Sequence, residues 1–238
     1  MPDPRLQAFS NVGGHEFSIL YSIQLVGVCL FLFAKKDLVA AVKDVVADSV
    51  KTGAGGKVGN KGGVGIRFRL HSTSICVVCA HLAAGQSHTT ERNSDYSEIL
   101  NKLSFKKGRT VASHDSIFWL GDLNYRIDMD VDRCKRLIGE GDFVTLAMCD
   151  QLTKERLRPT CTVFAGFSEG PLSFPPTYKY DMLSDSWDSS EKQRCELKLP
   201  PPPPPHTCML GTPCMLGPPV FFGGASKFRS VPTMVMIS

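Results

Sequence analysis

The chain has 238 residues, of which 42% are hydrophobic and 21% charged. These values are typical of a soluble globular protein and exclude collagen-like, disordered and coiled-coil chains. A net charge of +4 is too small to indicate a nucleic-acid partner by itself. The longest apolar run, residues 25–34, is far shorter than the roughly 20 residues of a membrane-spanning helix. Without a visible secretory signal, the nine cysteines indicate free thiols in a cytoplasmic protein.

Up to residue 194 the chain has the pattern of a mixed α/β protein. Apolar segments over 17–20 and 25–34 predict two adjacent buried strands. Helical spacing of apolar residues over 37–46 predicts a helix capped by Asp37. Further along, we expect strands over 64–70 and 74–82 joined by a turn at 71–72, an amphipathic helix from near Thr90, a buried strand over 116–120, and short helices over 134–138 and 143–148.

The composition changes after Arg194. A run of six prolines, Pro200 to Pro205, precedes a segment in which the tetrapeptide CMLG occurs twice. Proline runs form an extended helix without internal hydrogen bonds, so we expect residues 195–238 to be a flexible, low-complexity tail. Aromatic grooves of SH3-type domains bind such runs, so the functional alternative to a plain linker is an SH3-type partner on Pro200 to Pro205.

A glycine-rich segment, TGAGGKVGNKGG at residues 52–63, carries six glycines together with Lys57, Asn60 and Lys61. Backbone N–H groups in such a segment can approach an anion closely, which predicts a loop that contacts phosphate. A flexible connector is the alternative. The nucleotide motifs do not fit, because Val58 stands where the Walker A loop needs Ser or Thr and where the dinucleotide fingerprint needs its last glycine.

Cys76, Cys79 and His81 form the one suggestive cluster of metal-ligand residue types. A zinc site needs a second ligand pair, and none stands out nearby. If residues 74–82 form a strand, the two cysteine side chains point to opposite faces, because side chains alternate along a strand. We therefore favour free thiols over a metal–thiolate site.

The segment DSIFWLGDLNYR, residues 115–126, gives the more informative indication of chemistry. An apolar strand ends in Gly-Asp-x-Asn, and Asp122 and Asn124 lie on the same face if the strand geometry continues. A carboxylate and an amide at the mouth of a buried strand suit proton transfer and stabilisation of a charged transition state. A simple turn is the alternative, although Trp119, Tyr125 and Arg126 exceed what a turn requires.

A third segment, PTYKYD at residues 176–181, is followed by SEKQR at 190–194. Tyr178, Lys179, Lys192 and Arg194 offer one phenol and three cations within a short stretch. Clustered cations of this kind suit a polyanion such as a phosphorylated ring. A solvated, charged surface loop is the alternative.

In their order and content, GNKGG at 59–63, CAHLAAGQ at 79–86, WLGDLNYR at 119–126 and PTYKYD at 176–181 resemble motifs of the inositol polyphosphate 5-phosphatases. These enzymes belong to the endonuclease/exonuclease/phosphatase superfamily, and segments 50–62 and 83–93 look most like the synaptojanin branch. The resemblance covers residues 17–194, leaves 1–16 unmatched, and implies a partial catalytic domain. Its implied fold is α/β (α+β) and DNase I-like: an incomplete two-sheet β-sandwich flanked by helices, with the active site at one end.

The resemblance also implies Mg²⁺-dependent hydrolysis of the 5-phosphate of phosphatidylinositol 4,5-bisphosphate-type substrates or inositol phosphates by in-line attack of water. By position, Asp122 resembles the residue that helps activate the nucleophile, Asn124 the amide that stabilises the phosphate charge, and His81 the histidine that contacts the scissile phosphate. The resemblance implies substrate binding by Asn60, Lys61, Tyr178, Lys179, Lys192 and Arg194.

The chain departs from the family at both ends. The family's metal-binding glutamate would lie upstream of this chain, so no metal ligand is assigned within it. After residue 194 the tail replaces the family's Pro-Ala-Trp-x-Asp-Arg and Ser-Asp-His motifs, and His206 does not match the second catalytic histidine. We therefore expect a chain truncated at both ends.

Two alternatives to a phosphatase remain open. One is a catalytically inactive fragment that recruits partners through its proline-rich tail. The other is a nuclease of the same superfamily, although the cations around PTYKYD suit an inositol phosphate better than a DNA groove, and no nucleic-acid partner is expected. Without a lipidation motif or a long amphipathic anchor, membrane contact is expected to be peripheral, through basic residues near the site.

Overall fold

The computed structural model describes residues 11–12, 15–56, 58–170, 174, 220–221 and 232–237. The strands in these residues are β1 (Asn11–Val12), β2 (His15–Leu25), β3 (Val28–Lys35), β4 (Val42–Thr52), β5 (Val58–Leu70), β6 (Thr73–His81), β7 (Ser104–Phe105), β8 (Arg109–Thr110), β9 (Ser116–Asp122), β10 (Ser168–Glu169), β11 (Val220–Phe221) and β12 (Pro232–Ile237). The α-helices are α1 (Gly53–Gly56), α2 (Thr89–Lys102), α3 (Val131–Glu140), α4 (Phe143–Met148) and α5 (Gln151–Leu157). In this part of the chain, no helix is long and apolar enough to cross a membrane.

Two larger sheets and one small hairpin organise the fold. The first sheet has the strand order β1-β2-β3-β12, and the second has the order β10-β11-β9-β6-β5-β4. Strands β4, β5 and β6 pair antiparallel, whereas β6 and β9 run parallel. A parallel pair needs a long crossover, and residues 82–115, with helix α2 and the β7–β8 hairpin, provide it.

The two sheets are packed around a shared apolar core. Leu30 and Leu32 on β3 belong to the same buried cluster as Ile66 on β5 and Val77 on β6. The other face of the second sheet carries a separate buried cluster with helix α2. The expected architecture of a two-sheet sandwich flanked by helices is therefore observed.

The alternation of side chains along β6 separates its two cysteines. Cys76 belongs to the cluster on the helix side of the second sheet, whereas Cys79 belongs to the cluster between the sheets. Burial raises the pKa of the Cys76 thiol to about 12. The prediction that these side chains point to opposite faces is confirmed, and Cys76 is a packed thiol rather than a nucleophile.

The helix expected over 37–46 is wrong. A short 3₁₀ turn covers Val39–Ala41, and the chain then enters strand β4. Leu38, not Asp37, occupies the N-cap of that turn. The apolar spacing was compatible with a helix, but the valines of this segment favour extended backbone, and pairing with β5 satisfies the backbone groups. A register shift after Lys43, with Asp44 at φ 55°, explains the irregular spacing.

The glycine-rich segment is not the open loop that its composition predicts. Residues 53–56 form α1, and β5 begins at Val58, so Asn60 and Lys61 lie within a strand. Gly62 pairs with His81 and Gly63 with Ala80 in the β5–β6 ladder. Cross-strand pairing therefore occupies the backbone groups of Gly62 and Gly63, which an anion-binding loop would have offered.

The remaining predicted elements are found, with three differences. The strand expected over 25–34 begins at Val28, because residues 26–27 form the turn between β2 and β3. The 71–72 turn, the helix from near Thr90, the strand over 116–120 and the two short helices are all present. Strand β2 is only partly buried, with Ile19 and Tyr21 exposed, in contrast to the fully buried strand expected. Within the predicted flexible tail, β11 pairs with β9 and β12 with β3, because short apolar segments can extend a sheet edge.

Candidate active site

The site lies at the edge of the second sheet where β6 and β9 end. Their parallel register places His81 opposite Asp122, and His81 Nε2 lies 3.5 Å from Asp122 Oδ2. These side chains are 25% and 20% exposed, so both remain within reach of a ligand. An imidazole and a carboxylate in contact at a sheet edge are suited to proton transfer and to binding a phosphate.

A glycine allows the two strands to approach at this edge. Gly121 immediately precedes Asp122 and has φ 120°. A Cβ atom at this position would lie 2.1 Å from the Ala80 carbonyl oxygen on β6. Any larger residue would therefore push β9 away from β6 next to the His81–Asp122 contact.

Lys61 on β5 brings a cation to the same point. Its Nζ lies 2.5 Å from His81 Nε2. An ammonium group can only donate, so Nε2 accepts in this contact. Lys61 therefore places N–H donors and a positive charge beside His81 and Asp122, where a phosphate would need them.

The turn between β2 and β3 borders the site from the first sheet. The Gly27 N–H donates to the Gly59 carbonyl at 3.3 Å. A Cβ on Gly27 would lie 2.5 Å from the Asn60 carbonyl oxygen and 3.1 Å from His81 Nδ1. The two sheets therefore meet at the site, and the exposed residue Asn60 lies at its rim.

The backbone conformation that positions Asn124 differs from the expected one. The strand ends at Asp122, and Asn124 has φ 57°, so the expectation of a continued strand with both residues on one face is wrong. The Asn124 backbone N–H instead donates to Asp122 Oδ1 at 3.3 Å. Its side-chain Nδ2 donates to the Leu82 carbonyl at 2.9 Å, and Arg126 donates to its Oδ1 at 2.9 Å. A tight turn, not strand alternation, holds the Asn124 backbone N–H against the Asp122 carboxylate, and the buried side-chain amide is held by Leu82 and Arg126.

Helix α2 contributes a carboxylate that the sequence interpretation did not single out. Asp95 Oδ2 accepts the Ala83 backbone N–H at 2.8 Å, two residues after His81. Burial raises the pKa of Asp95, while hydrogen bonds from Thr52 and Ala83 and the positive charge of Lys61 act in the opposite direction. Asp95 therefore fixes the backbone beside the site and adds negative charge opposite Lys61.

Arg92, also on α2, is a second residue that sequence reasoning missed. It is fully buried, and its guanidinium donates to the Ala83 and Gly85 carbonyls at 3.2 and 2.7 Å. Burial lowers its pKa. Its position four residues before Tyr96, on the apolar stripe of the helix, was the available signal, since a charge on a buried stripe needs partners.

Four predicted substrate-binding residues lie outside the described residues. These are Tyr178, Lys179, Lys192 and Arg194. Their assignment to the site stays a prediction.

The described residues do not complete a metal site by themselves. Among them there is no group of three or more His, Cys, Asp or Glu side chains that could hold a metal ion. Asp122 provides a carboxylate at the site, whereas the side-chain oxygen of Asn124 already accepts from Arg126. Mg²⁺ is usually held by one or two carboxylates together with substrate phosphates.

Sequence comparisons identify related proteins. The model of endonuclease/exonuclease/phosphatase family 2 matches residues 5–196. Human synaptojanin-1 is 50% identical over 180 residues, which cover 76% of this chain and 11% of that protein. The mouse type II inositol 1,4,5-trisphosphate 5-phosphatase is 48% identical over 179 residues, covering 72% of this chain and 18% of that protein. The chain thus spans less than a fifth of the length of these relatives.

Solved structures agree with the fold. The inositol polyphosphate 5-phosphatase domain of SPsynaptojanin, in complex with inositol (1,4)-bisphosphate and a calcium ion, matches with a TM-score of 0.71 and 41% identity. The match covers 77% of this chain and 53% of that domain. A Cimex nitrophorin matches with a TM-score of 0.55 at 19% identity over 80% of this chain and 62% of its own, which shows a shared fold alone.

The resemblance to the 5-phosphatases is thereby confirmed. The matched residues contain the described strands β2 to β9 and the His81–Asp122 contact between two of them. The chain belongs to endonuclease/exonuclease/phosphatase family 2, and its homologues include synaptojanins and inositol 5-phosphatases.

Proposed function

We propose that this chain carries a partial catalytic domain, over residues 17–194, that hydrolyses the 5-phosphate of inositol phosphates or of phosphatidylinositol 4,5-bisphosphate-type lipids. The observation that carries the proposal is the contact of His81 with both Lys61 and Asp122 at the edge of the second sheet. A cation, an imidazole and a carboxylate there can hold a phosphate and accept a proton. The relatives named as inositol 5-phosphatases support the same activity.

The proposed reaction is a displacement at phosphorus. The oxygen of a water molecule forms a bond to phosphorus while the bond from phosphorus to the inositol 5-oxygen breaks. Asp122 accepts the proton of the attacking water, and solvent protonates the departing 5-oxygen. Lys61 neutralises charge on the phosphate, His81 contacts the phosphate, and the amide of Asn124 donates to its oxygens. The products are inorganic phosphate and the 5-hydroxyl of the ring.

A divalent cation belongs to the proposal, and Mg²⁺ is the one we favour. It prefers hard oxygen ligands and neutralises phosphate charge when bound. The described residues offer Asp122 but no complete ligand set, so we assign the steps above to the chain's own residues. The calcium ion in the SPsynaptojanin structure supports a divalent cation in this family.

Phosphate release by the full chain tests the proposed activity. We expect phosphate release from inositol 1,4,5-trisphosphate and from a short-chain phosphatidylinositol 4,5-bisphosphate in Mg²⁺. ³¹P NMR should show loss of the 5-phosphate and retention of the 4-phosphate in both products. Asp122→Ala should lower the rate by about a hundredfold or more. The control is Asp132→Ala, which changes an exposed residue on α3 and should leave the rate unchanged. A folded chain that releases no phosphate would instead favour the inactive interaction fragment.

We also propose a peripheral location on the cytoplasmic face of a membrane. Val26, at the β2–β3 turn, is 75% exposed, and Val58 at the start of β5 is 47% exposed. Val26 and the exposed residue Lys51 both lie against Gly59, next to the rim of the site. An apolar tip beside cations suits an anionic lipid surface.

Vesicle co-sedimentation tests this surface. Val26→Asp should reduce binding to vesicles that contain phosphatidylserine, because the carboxylate is repelled by the anionic surface. Val144→Asp is the matched control, since Val144 on α4 is equally exposed at 75%. Equal binding by the two variants would exclude the β2–β3 turn as the membrane contact.

Two further predictions concern partners. Residues 200–205 lie outside the described residues, and binding of an SH3-type domain to this run stays a prediction that titration with isolated SH3 domains would test. The absence of a nucleic-acid partner also stays a prediction. Salt-dependent binding of DNA would support the nuclease alternative.

A further inference from the structure

We propose that Gln151, the first residue of helix α5, is a positioning residue that orients the amide of Asn124 for the phosphate. This inference rests on the proposed function and deepens it. Gln151 lies outside the motifs that carry the resemblance, and 27 positions separate it from Asn124 in the sequence. It is buried behind the site, with 5% of its surface exposed.

All four hydrogen-bonding positions of the Gln151 side chain are used. Its Oε1 accepts from Arg92 Nη2 at 2.5 Å and from the Arg126 backbone N–H at 3.0 Å. Its Nε2 donates to the Gln86 carbonyl at 2.8 Å and to Asp128 Oδ1 at 2.6 Å. An amide has two lone pairs and two N–H groups, so this side chain joins helix α2, the segment after β6 and the segment after β9 without an unused group.

One branch of these contacts reaches Asn124 through Arg126. The Gln151 side chain accepts from the Arg126 backbone N–H, and the Gln151 backbone N–H donates to the Arg126 carbonyl at 2.9 Å. Both backbone groups of Arg126 are therefore held by Gln151. The Arg126 guanidinium then donates to the Asn124 carbonyl at 3.0 Å and to its Oδ1 at 2.9 Å. A guanidinium only donates, so the oxygen of the amide faces Arg126 and its nitrogen faces the other way.

The second branch reaches the same amide from the segment after β6. Arg92 donates to the Ala83 and Gly85 carbonyls, which anchors this segment. At its start, the Leu82 carbonyl accepts from Asn124 Nδ2 at 2.9 Å. The two branches therefore set the oxygen and one N–H of Asn124, which is 5% exposed; in the proposal, the second N–H donates to a phosphate oxygen. Loss of the Gln151 side-chain hydrogen bonds that connect the two branches would let the Asn124 amide rotate and present its oxygen to the phosphate instead.

The kinetic test compares Gln151→Met in two backgrounds. Methionine keeps the length of the side chain and removes its four hydrogen bonds. In the otherwise unchanged chain, kcat should fall about tenfold to a hundredfold, with KM changed by less than about threefold because the contact is needed in the transition state. In an Asn124→Ala background the same change should alter kcat by less than about twofold. Equal losses in both backgrounds would show a merely structural role and overturn the proposal.

Hydrogen exchange tests whether Gln151 holds the two segments, independently of turnover. Gln151→Met should increase exchange of backbone amides over 82–88 and 123–128 relative to those of β6 and β9. Unchanged exchange in both segments would overturn the proposal. If the unaltered chain releases no phosphate, the proposed function fails, while the exchange measurement still decides whether Gln151 holds these segments.

The matched control is Asp115→Ala, at the opposite ends of the same two strands. Asp115 Oδ2 accepts from the Ser74 backbone N–H at 2.8 Å and from its Oγ at 2.7 Å. This change also removes a tie between β6 and β9. It should lower the melting temperature but leave kcat and the exchange over 123–128 unchanged; a loss of kcat equal to that of Gln151→Met would overturn the assignment.

Discussion

Replacing Gly121 by alanine tests whether close approach of β6 and β9 builds the site. The residue has φ 120°, and a conformation that L side chains rarely adopt costs about 1–3 kcal/mol. The new Cβ would also lie 2.1 Å from the Ala80 carbonyl oxygen, and relieving such an overlap costs about 1–3 kcal/mol more. We therefore expect the free energy of unfolding to fall by about 2–6 kcal/mol.

The change should affect chemistry more than stability alone explains. Asp122 follows Gly121 directly and pairs with His81, so a displaced strand would lengthen the 3.5 Å contact between their side chains. Phosphate release should fall at least tenfold at a urea concentration and temperature where the variant is still folded, since an error of about 1 Å can cost a hundredfold.

Urea unfolding with a second glycine as control measures the effect. Gly139 on α3 is exposed and has nothing within 4 Å of a Cβ position. Gly139→Ala should raise the free energy of unfolding by about 0.5–1 kcal/mol, because alanine loses less backbone entropy in a helix. A loss below about 1 kcal/mol for Gly121→Ala would refute the steric reasoning.

Three further changes probe the site and its support. Lys61→Met should lower phosphate release about tenfold to a hundredfold by removing the cation next to His81, and initial rates at saturating substrate measure the loss. Asp130→Ala should lower the free energy of unfolding in urea by about 1 kcal/mol, because Asp130 Oδ1 accepts two backbone N–H groups at the start of α3. Burial, with a contribution from the nearby negative Asp150, raises the pKa of Glu169 to about 7, and burial raises that of Asp150 to about 6. The folded chain therefore binds these protons more tightly than the unfolded chain, and their contribution to stability is complete below about pH 4 and lost as the pH rises towards about 7. Urea unfolding at about pH 5 and about pH 7.5 should show this decrease, and Glu169→Gln should make it smaller by about 1–3 kcal/mol.

Local patterns predicted the elements whose periodicity and burial agree. The helix from near Thr90 has its apolar residues on one stripe, and Tyr96 and Ile99 are buried as expected. The helix prediction for residues 37–46 was wrong because the helical spacing coincides there with valines of β4 that pair with β5. Such a segment is decided by its neighbour in the sheet, which local sequence does not contain.

The site was predictable only in part for a similar reason. The contact of His81 with Asp122 depends on the parallel register of two strands separated by a crossover, and the family resemblance rather than spacing brought these residues together. Arg92 and Gln151 were missed because several of their partners are backbone groups, such as the Ala83 and Gly85 carbonyls and the Arg126 N–H. Every residue carries such groups, so no side-chain pattern marks the contact.

The parallel pairing of β6 and β9 sets the distance between His81 and Asp122, the proposed catalytic pair. The hydrogen-bonded register, and not the length of the connection, places His81 opposite Asp122. Residues added to the β7–β8 hairpin within the crossover would leave that spacing intact. One residue inserted into either strand would instead turn a site side chain to the opposite face of the sheet, since side chains alternate. Tolerance to insertion should thus change abruptly at the strand boundaries, and insertion scanning of residues 73–122 would locate the two strands that carry the site.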